Sequence, residues 1–170
     1  MSTWLSVSVA VPLCLGVGPS FAVLRPEAAD WHRRLRKPRY GVTHGALLPL
    51  VALVSVVGGI GAHLAASEAE LARHTPELRA ARVGQVGLGF YWLGLTFLAL
   101  WPRLVALGPS LRLALADVAV GGLLQLVATV QFFRLTAAGG LLLLLCFSAS
   151  AALAAWNAAL VAAERESLPL

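Results

Sequence analysis

The most informative stretch of the chain is residues 111–133, LRLALADVAVGGLLQLVATVQFF. It is almost continuously apolar, and within it only Arg112 and Asp117 are ionisable. A helix needs about 20 predominantly apolar residues to cross the hydrocarbon core of a bilayer. We therefore interpret this stretch as a membrane-spanning helix, with Ser110 as its candidate N-cap.

Four other apolar runs lie on either side of this stretch, at residues 4–24, 45–66, 83–101 and 137–163. Hydrophobic residues make up 59% of the 170 residues and charged residues 12%, against roughly 25% charged residues in soluble domains. The mean hydropathy is +0.81. The sequence thus predicts an all-α membrane protein, a five-transmembrane-helix bundle that forms a single domain over residues 1–170.

The connections between these runs also carry signals. Residues 67–82 are hydrophilic, and we expect them to link the second and third spans, with a helix-start signal at residues 75–77. Pro102 should stop or kink the third span. Residues 134–136 are predicted to form a short turn between the fourth and fifth spans.

The basic residues predict the orientation of the bundle. Nine of the thirteen lie in the loop at residues 25–44, around the third loop or in the C-terminal tail, and four lie on the opposite side. Cytoplasmic loops carry an excess of Lys and Arg. The first loop and the C-terminus are therefore expected on the cytosolic side of the membrane.

Asp117 is the strongest polar signal inside a span. Gly121, Gln125 and Thr129 follow it at steps of four residues, so the four side chains form one small and polar stripe along the helix. Ionisable residues inside membranes usually face a cavity or a protein neighbour. The stripe is expected to face either a ligand cavity or a packed helix, with Asn157 of the fifth span as its natural partner.

Other classes of function lack a signal in the sequence. No catalytic triad, phosphate-binding loop or zinc-protease motif is present, and the four histidines are scattered. Cys14 and Cys146 both lie inside apolar runs, where they are expected to be buried thiols. We therefore expect neither an enzyme nor a resident cofactor or metal. We also expect no nucleic-acid partner, because the basic residues flank apolar runs, where membrane topology and lipid headgroups explain them.

One group of motifs extends along nearly the whole chain. The group consists of Trp31, His32, Leu35, Lys37, Pro38 and Tyr40 in the first loop, Pro49 and Gly59-x-Gly61 in the second span, Trp101-Pro102, Asp117 and Asn157. In order and spacing these motifs resemble those of a known family, the translocator protein (peripheral benzodiazepine receptor, tryptophan-rich sensory protein) family.

The resemblance implies a ligand cavity between the five helices, opening under the first loop. It implies hydrophobic ligands such as porphyrins, cholesterol-like sterols and benzodiazepine or isoquinoline compounds. It further implies contact with the lipid bilayer, a possible homodimer, and the outer mitochondrial membrane if the source is eukaryotic.

Alignment to the family also implies a set of ligand-binding residues. Apolar walls, two polar anchors and a lid in the first loop make up this set. The walls are Leu47, Leu50, Leu113, Ala116, Val120, Leu153 and Trp156; the anchors are Asp117 and Asn157; the lid is Trp31 and His32.

The chain departs from the family at several aromatic positions. Tryptophans that line the family's pocket correspond to Val51, Leu113 and Ala149, and the tyrosine of the family's sterol motif corresponds to Ala158. Because those tryptophans are tied to porphyrin handling, we expect binding without porphyrin breakdown. Two alternatives stay open: a small transporter, although no inverted repeat is present, and a scaffold that works through protein partners.

The predicted orientation can be tested with fusions to the C-terminus in a bacterial host. Green fluorescent protein at this position should fluoresce, because it matures on the cytosolic side, and alkaline phosphatase should be inactive. Fusions in the turn at residues 134–136 should behave in the opposite way. Active phosphatase at the C-terminus would contradict the orientation.

Overall fold

The computed structural model describes residues 10–15, 17, 26, 30, 44–73, 78–106 and 110–166. Helix α1 is described at residues 10–15 and 17, within the first predicted span. Four long helices follow: α2 at His44–Arg73, α3 at Leu78–Ala106, α4 at Leu111–Phe133 and α5 at Ala137–Glu166. Each of these four is long and apolar enough to cross a bilayer.

The expected helical membrane architecture is confirmed, and a count of five helices fits the structure. Helix α4 has the bounds that its apolar run predicts. The backbone N–H of Leu113 donates to the Ser110 hydroxyl at 3.4 Å, so Ser110 is the N-cap. Residues 134–136 form the expected turn before α5.

Helices α2 and α3 are longer than their apolar runs. Helix α2 continues to Arg73 and α3 begins at Leu78, so much of the expected hydrophilic link is helical. The reason is that residues 67–73 are mostly Ala, Glu, Leu and Arg, which favour helix in water as well as in lipid. The predicted helix-start signal at residues 75–77 lies outside the described residues.

Pro102 does not stop α3, which continues to Ala106. A proline inside a helix removes one backbone hydrogen bond. Within a membrane bundle this loss is tolerated because neighbouring helices can satisfy the freed carbonyl. The side chains of Trp101 and Pro102 are both buried at this point, so α3 is well packed where the bond is missing.

The four long helices form a closed ring in which each helix packs against two others. Helix α4 lies between α3 and α5, and α2 completes the ring by packing against α3 and α5. Large apolar side chains such as Leu53, Leu123 and Leu145 point outwards and are exposed. In water such a surface would be unfavourable, so the outer face is suited to lipid.

Glycines allow α3 and α4 to approach closely. A Cβ atom added at Gly94 of α3 would lie 3.1 Å from the Gly121 carbonyl oxygen and 3.1 Å from Cγ of Gln125, both on α4. The same helix carries Gly89, where an added Cβ would meet nothing within 4 Å. A side chain at Gly94 would thus crowd α4, whereas one at Gly89 would not.

We expect Gly94→Leu to destabilise the bundle by about 1–3 kcal/mol, because the added side chain overpacks the contact between α3 and α4. Gly89→Leu is the matched control and should leave stability unchanged or slightly higher. The thermal midpoint of purified protein in detergent measures both. Equal midpoints for the two variants would contradict the close approach at Gly94.

Candidate functional site

A mainly apolar cavity lies between α2, α3 and α5. Its volume is about 50 Å³. The lining side chains come from three helices: Leu50, Val51, Val54 and Ser55 from α2; Leu95, Leu98, Ala99 and Trp101 from α3; Ala149, Ser150 and Leu153 from α5. Among the described lining residues, polar side-chain groups come from the hydroxyls of Ser55 and Ser150 and the indole N–H of Trp101.

The cavity lies towards the end of the bundle where α2 begins and α3 ends. Leu50 is six residues into α2, and Trp101 is five residues before the last residue of α3. At 1.5 Å per residue both are roughly 8–9 Å from their helix ends. Since the first loop precedes α2, the cavity lies in the half of the bundle beneath that loop.

Two of the departures from the family pattern lie in this cavity. Val51 and Ala149, which stand where tryptophans are expected, both contribute to its walls. Small side chains at these positions remove aromatic surface from the ligand space. The helices leave only about 50 Å³ between them, so the missing tryptophans do not produce a large open pocket.

A polar contact joins α4 and α5 beside the cavity. The Ser150 hydroxyl donates to Oε1 of Gln125 at 2.9 Å and is also within 3.0 Å of the Cys146 carbonyl oxygen. Thr129 donates to the Gln125 carbonyl oxygen at 2.7 Å. All these side chains are buried, and Oε1 of Gln125 is satisfied by the neighbouring helix, whereas the Thr129 hydroxyl is satisfied within α4.

Tyr91 and Cys146 lie about one helical turn further along α3 and α5 from the cavity-lining residues Leu95 and Ala149, away from the end at which α2 begins. A Cβ atom added at Gly58 of α2 would lie 3.3 Å from both the Tyr91 hydroxyl oxygen and the Cys146 sulfur. The Cys146 thiol donates to the Val54 carbonyl oxygen at 3.4 Å. The absence of a side chain at Gly58 therefore leaves room for the Tyr91 and Cys146 side chains between α2, α3 and α5.

Further buried polar groups lie beside Trp101, towards the end of the bundle at which α2 begins and α3 ends. Asp117 is 8% exposed, Asn157 is 0% exposed and Trp101 is 1% exposed. The Asn157 amide donates to the Leu153 carbonyl oxygen at 2.8 Å. Trp101 contacts Trp156 edge-on, with ring centroids 6.4 Å apart. We call Trp101, Asp117, Trp156 and Asn157 the upper polar layer.

The structure separates the predicted site residues into groups. Leu50 and Leu153 line the cavity, and Asp117, Trp156 and Asn157 lie in the upper polar layer. Trp31 and His32 lie outside the described residues, as does the side chain of Leu47. The lid prediction therefore stays a prediction.

Three predicted wall residues of α4 lie away from the cavity. Leu113 is 60% and Val120 is 42% exposed, and Ala116 is also exposed. At 100° per residue they lie on one side of Asp117, whereas the buried Ala114 and Val118 lie on the other. Asp117 is thus at the edge of the buried face, and the expected α4 wall points outwards.

Sequence reasoning did not identify any residue of α3 as part of the cavity wall. Leu95, Leu98, Ala99 and Trp101 all line the cavity. Their spacing of three to four residues is the signal for one helix face. Because the whole run is apolar, its sequence does not distinguish a cavity-facing side from a lipid-facing side. The positions of the neighbouring helices are needed to make that distinction.

The fold and the cavity together define an integral membrane protein with an internal apolar site. Among the described residues, no group of three or more histidine, cysteine or acidic side chains could hold a metal ion. A comparison with protein-family models matches the TspO/MBR family over residues 8–162. The chain therefore belongs to the TspO/MBR family, which confirms the resemblance to the translocator protein family. A comparison with curated proteins gave no match.

Ser150→Ala should lower the stability of the bundle by about 1–3 kcal/mol, because it leaves the buried Oε1 of Gln125 without this partner. Ser148→Ala is the matched control. Ser148 is exposed on the same helix and its hydroxyl donates only to the Leu144 carbonyl oxygen, at 2.8 Å. A thermal midpoint in detergent that falls equally for both variants would contradict the role of the Gln125 contact.

Proposed function

We propose that the protein is a membrane receptor that binds a hydrophobic small molecule in the cavity between α2, α3 and α5. The observation that carries this proposal is the cavity itself, with eight aliphatic side chains, one tryptophan and two serines around it. Sites for small molecules are typically apolar, with a few polar groups that orient the ligand. Membership of the TspO/MBR family supports the same function.

The volume of the cavity bears on the size of the ligand. An apolar cavity of about 150 Å³ accepts benzene, and pockets for drug-sized ligands measure about 300–1,000 Å³. A cavity of about 50 Å³ is smaller than either. Binding of a porphyrin, a sterol or an isoquinoline compound therefore requires α2 to move away from α3 and α5, or the leucines around the cavity to change rotamer.

Within this proposal, the smaller and more flexible ligands are favoured over porphyrins. A porphyrin is rigid and flat, so it needs the largest separation of the helices. The absence of tryptophan at Val51 and Ala149 also removes the aromatic faces on which a porphyrin would stack. We accordingly propose binding rather than chemistry, with the C-terminus on the cytosolic side of the membrane.

The proposal predicts that filling the cavity abolishes binding. Ala149→Phe should weaken binding of a sterol or an isoquinoline probe by at least about tenfold, because the phenyl ring occupies the ligand space. Ala152→Phe, on the exposed side of the same helix, is the matched control and should bind as the wild type does.

Titration of purified protein in detergent, with empty micelles as blank, measures this binding. Wild-type binding no stronger than the blank across a porphyrin, sterol and isoquinoline panel would overturn the proposed function. Equal weakening by Ala149→Phe and Ala152→Phe would place the ligand elsewhere on the protein.

A further inference from the structure

The upper polar layer contains buried polar atoms that have no hydrogen-bond partner. Within the described part of the chain these include Nε1 of Trp101, Oδ2 of Asp117 and Oδ1 of Asn157. All three side chains are more than nine-tenths buried. Buried polar groups are almost always paired in native proteins, so the two oxygen acceptors, Oδ2 of Asp117 and Oδ1 of Asn157, point to a missing donor, whereas Nε1 of Trp101 is itself a donor.

The three residues lie at one level of the bundle. Trp101 and Trp156 pack in one cluster with Ala114 and Val118, which come from the turn of α4 that carries Asp117. Asn157 directly follows Trp156 on α5. Trp101, Asp117 and Asn157 therefore lie at the same level along α3, α4 and α5.

This layer is continuous with the cavity. Trp101 belongs to both, since it lines the cavity and contacts Trp156. Leu153 also lines the cavity, and its carbonyl oxygen accepts the hydrogen bond from Asn157. A ligand with an apolar body in the cavity would therefore reach the layer with one end.

The acidic group of the upper polar layer indicates which chemical group the ligand carries at the end that reaches the layer. Asp117 has a carboxyl group and forms no ion pair within the described helices. The nearest described basic residues in sequence, Arg103 and Arg112, have exposed side chains. A carboxylate in a low-dielectric interior is stabilised by an opposite charge that enters with hydrogen-bond donors.

We propose that the upper polar layer recognises the ammonium group of a hydrophobic amine whose apolar body occupies the cavity. This inference rests on the proposed function and names the chemical class of its ligand. An ammonium group has several N–H donors, enough for both Oδ2 of Asp117 and Oδ1 of Asn157. The indole rings of Trp101 and Trp156 add the aromatic surfaces that favour a cation.

A neutral hydroxyl group fits the layer less well. It has one donor, so it can satisfy only one of the two oxygen acceptors at a time. It also leaves the charge of Asp117 uncompensated. The structure therefore favours an amine over an alcohol of the same shape.

The test compares 2-phenylethylamine, protonated at pH 7, with the nearly isosteric 2-phenylethanol. Isothermal titration and thermal midpoints are measured on the full chain in a nonionic detergent. The amine should bind at least about tenfold more tightly than the alcohol, which is the expected effect of one charged hydrogen-bonded contact. This comparison uses the wild-type protein alone and does not depend on the folding of a variant.

Variants then locate the contact. Asp117→Asn keeps the shape of the side chain and removes its charge. This variant should weaken binding of the amine by about tenfold or more and leave the affinity for the alcohol unchanged. Glu68→Gln is the matched control, because Glu68 is an exposed acid on α2. This variant should change the affinity for neither the amine nor the alcohol.

The outcomes distinguish this inference from the proposed function. Equal affinities of the wild type for amine and alcohol would overturn the inference and leave the proposed function standing. Tighter amine binding that survives Asp117→Asn would also overturn it, because the amine would then be held elsewhere. Failure of both probes, together with the porphyrin, sterol and isoquinoline panel, would overturn the inference and the proposed function alike.

Discussion

The absence of water in the hydrocarbon core is the constraint on which the structure depends. Every backbone polar group there must be satisfied within the protein, and a helix does this with its own residues. Side-chain polar groups then have to face a protein neighbour. In α4 this constraint turns Gln125 and Thr129 inwards, and the hydrogen bond from Ser150 to Gln125 joins α4 to α5.

The same constraint gives the two parts of the polar stripe different roles. In the middle of the bundle, the Ser150 hydroxyl donates to Oε1 of Gln125 and joins α5 to α4. Nearer the first loop, Asp117 and Asn157 keep oxygen atoms without partners, beside a cavity with apolar walls. A satisfied layer favours stability, whereas an unsatisfied one is suited to a ligand that brings the missing donors. The structure thus separates a packing layer from a candidate recognition layer along one helix.

Particular residues show how far the sequence could predict this site. Asp117 and Asn157 stood out because polar groups are rare in apolar runs, and both are buried at helix contacts. Alignment to the family predicts that Leu113 and Val120 form cavity walls, yet both are exposed. They lie close to Asp117 on the helix surface, so a rotation of the helix by a fraction of a turn decides between cavity and lipid. An apolar sequence does not predict this rotation, because leucine is equally suited to a cavity wall and to a lipid-facing surface.

The amino-acid sequence by itself determined that the chain crosses a membrane as a helical bundle, where α4 begins and ends, and which polar residues must face protein. These properties follow from the length of the apolar runs, the Ser110 cap and the cost of placing polar groups in lipid. Only the tertiary structure decided that Leu95, Ala99 and Trp101 face a cavity, and that this cavity is small. Those properties depend on how closely helices from distant parts of the chain approach one another, which glycines such as Gly58 and Gly94 permit.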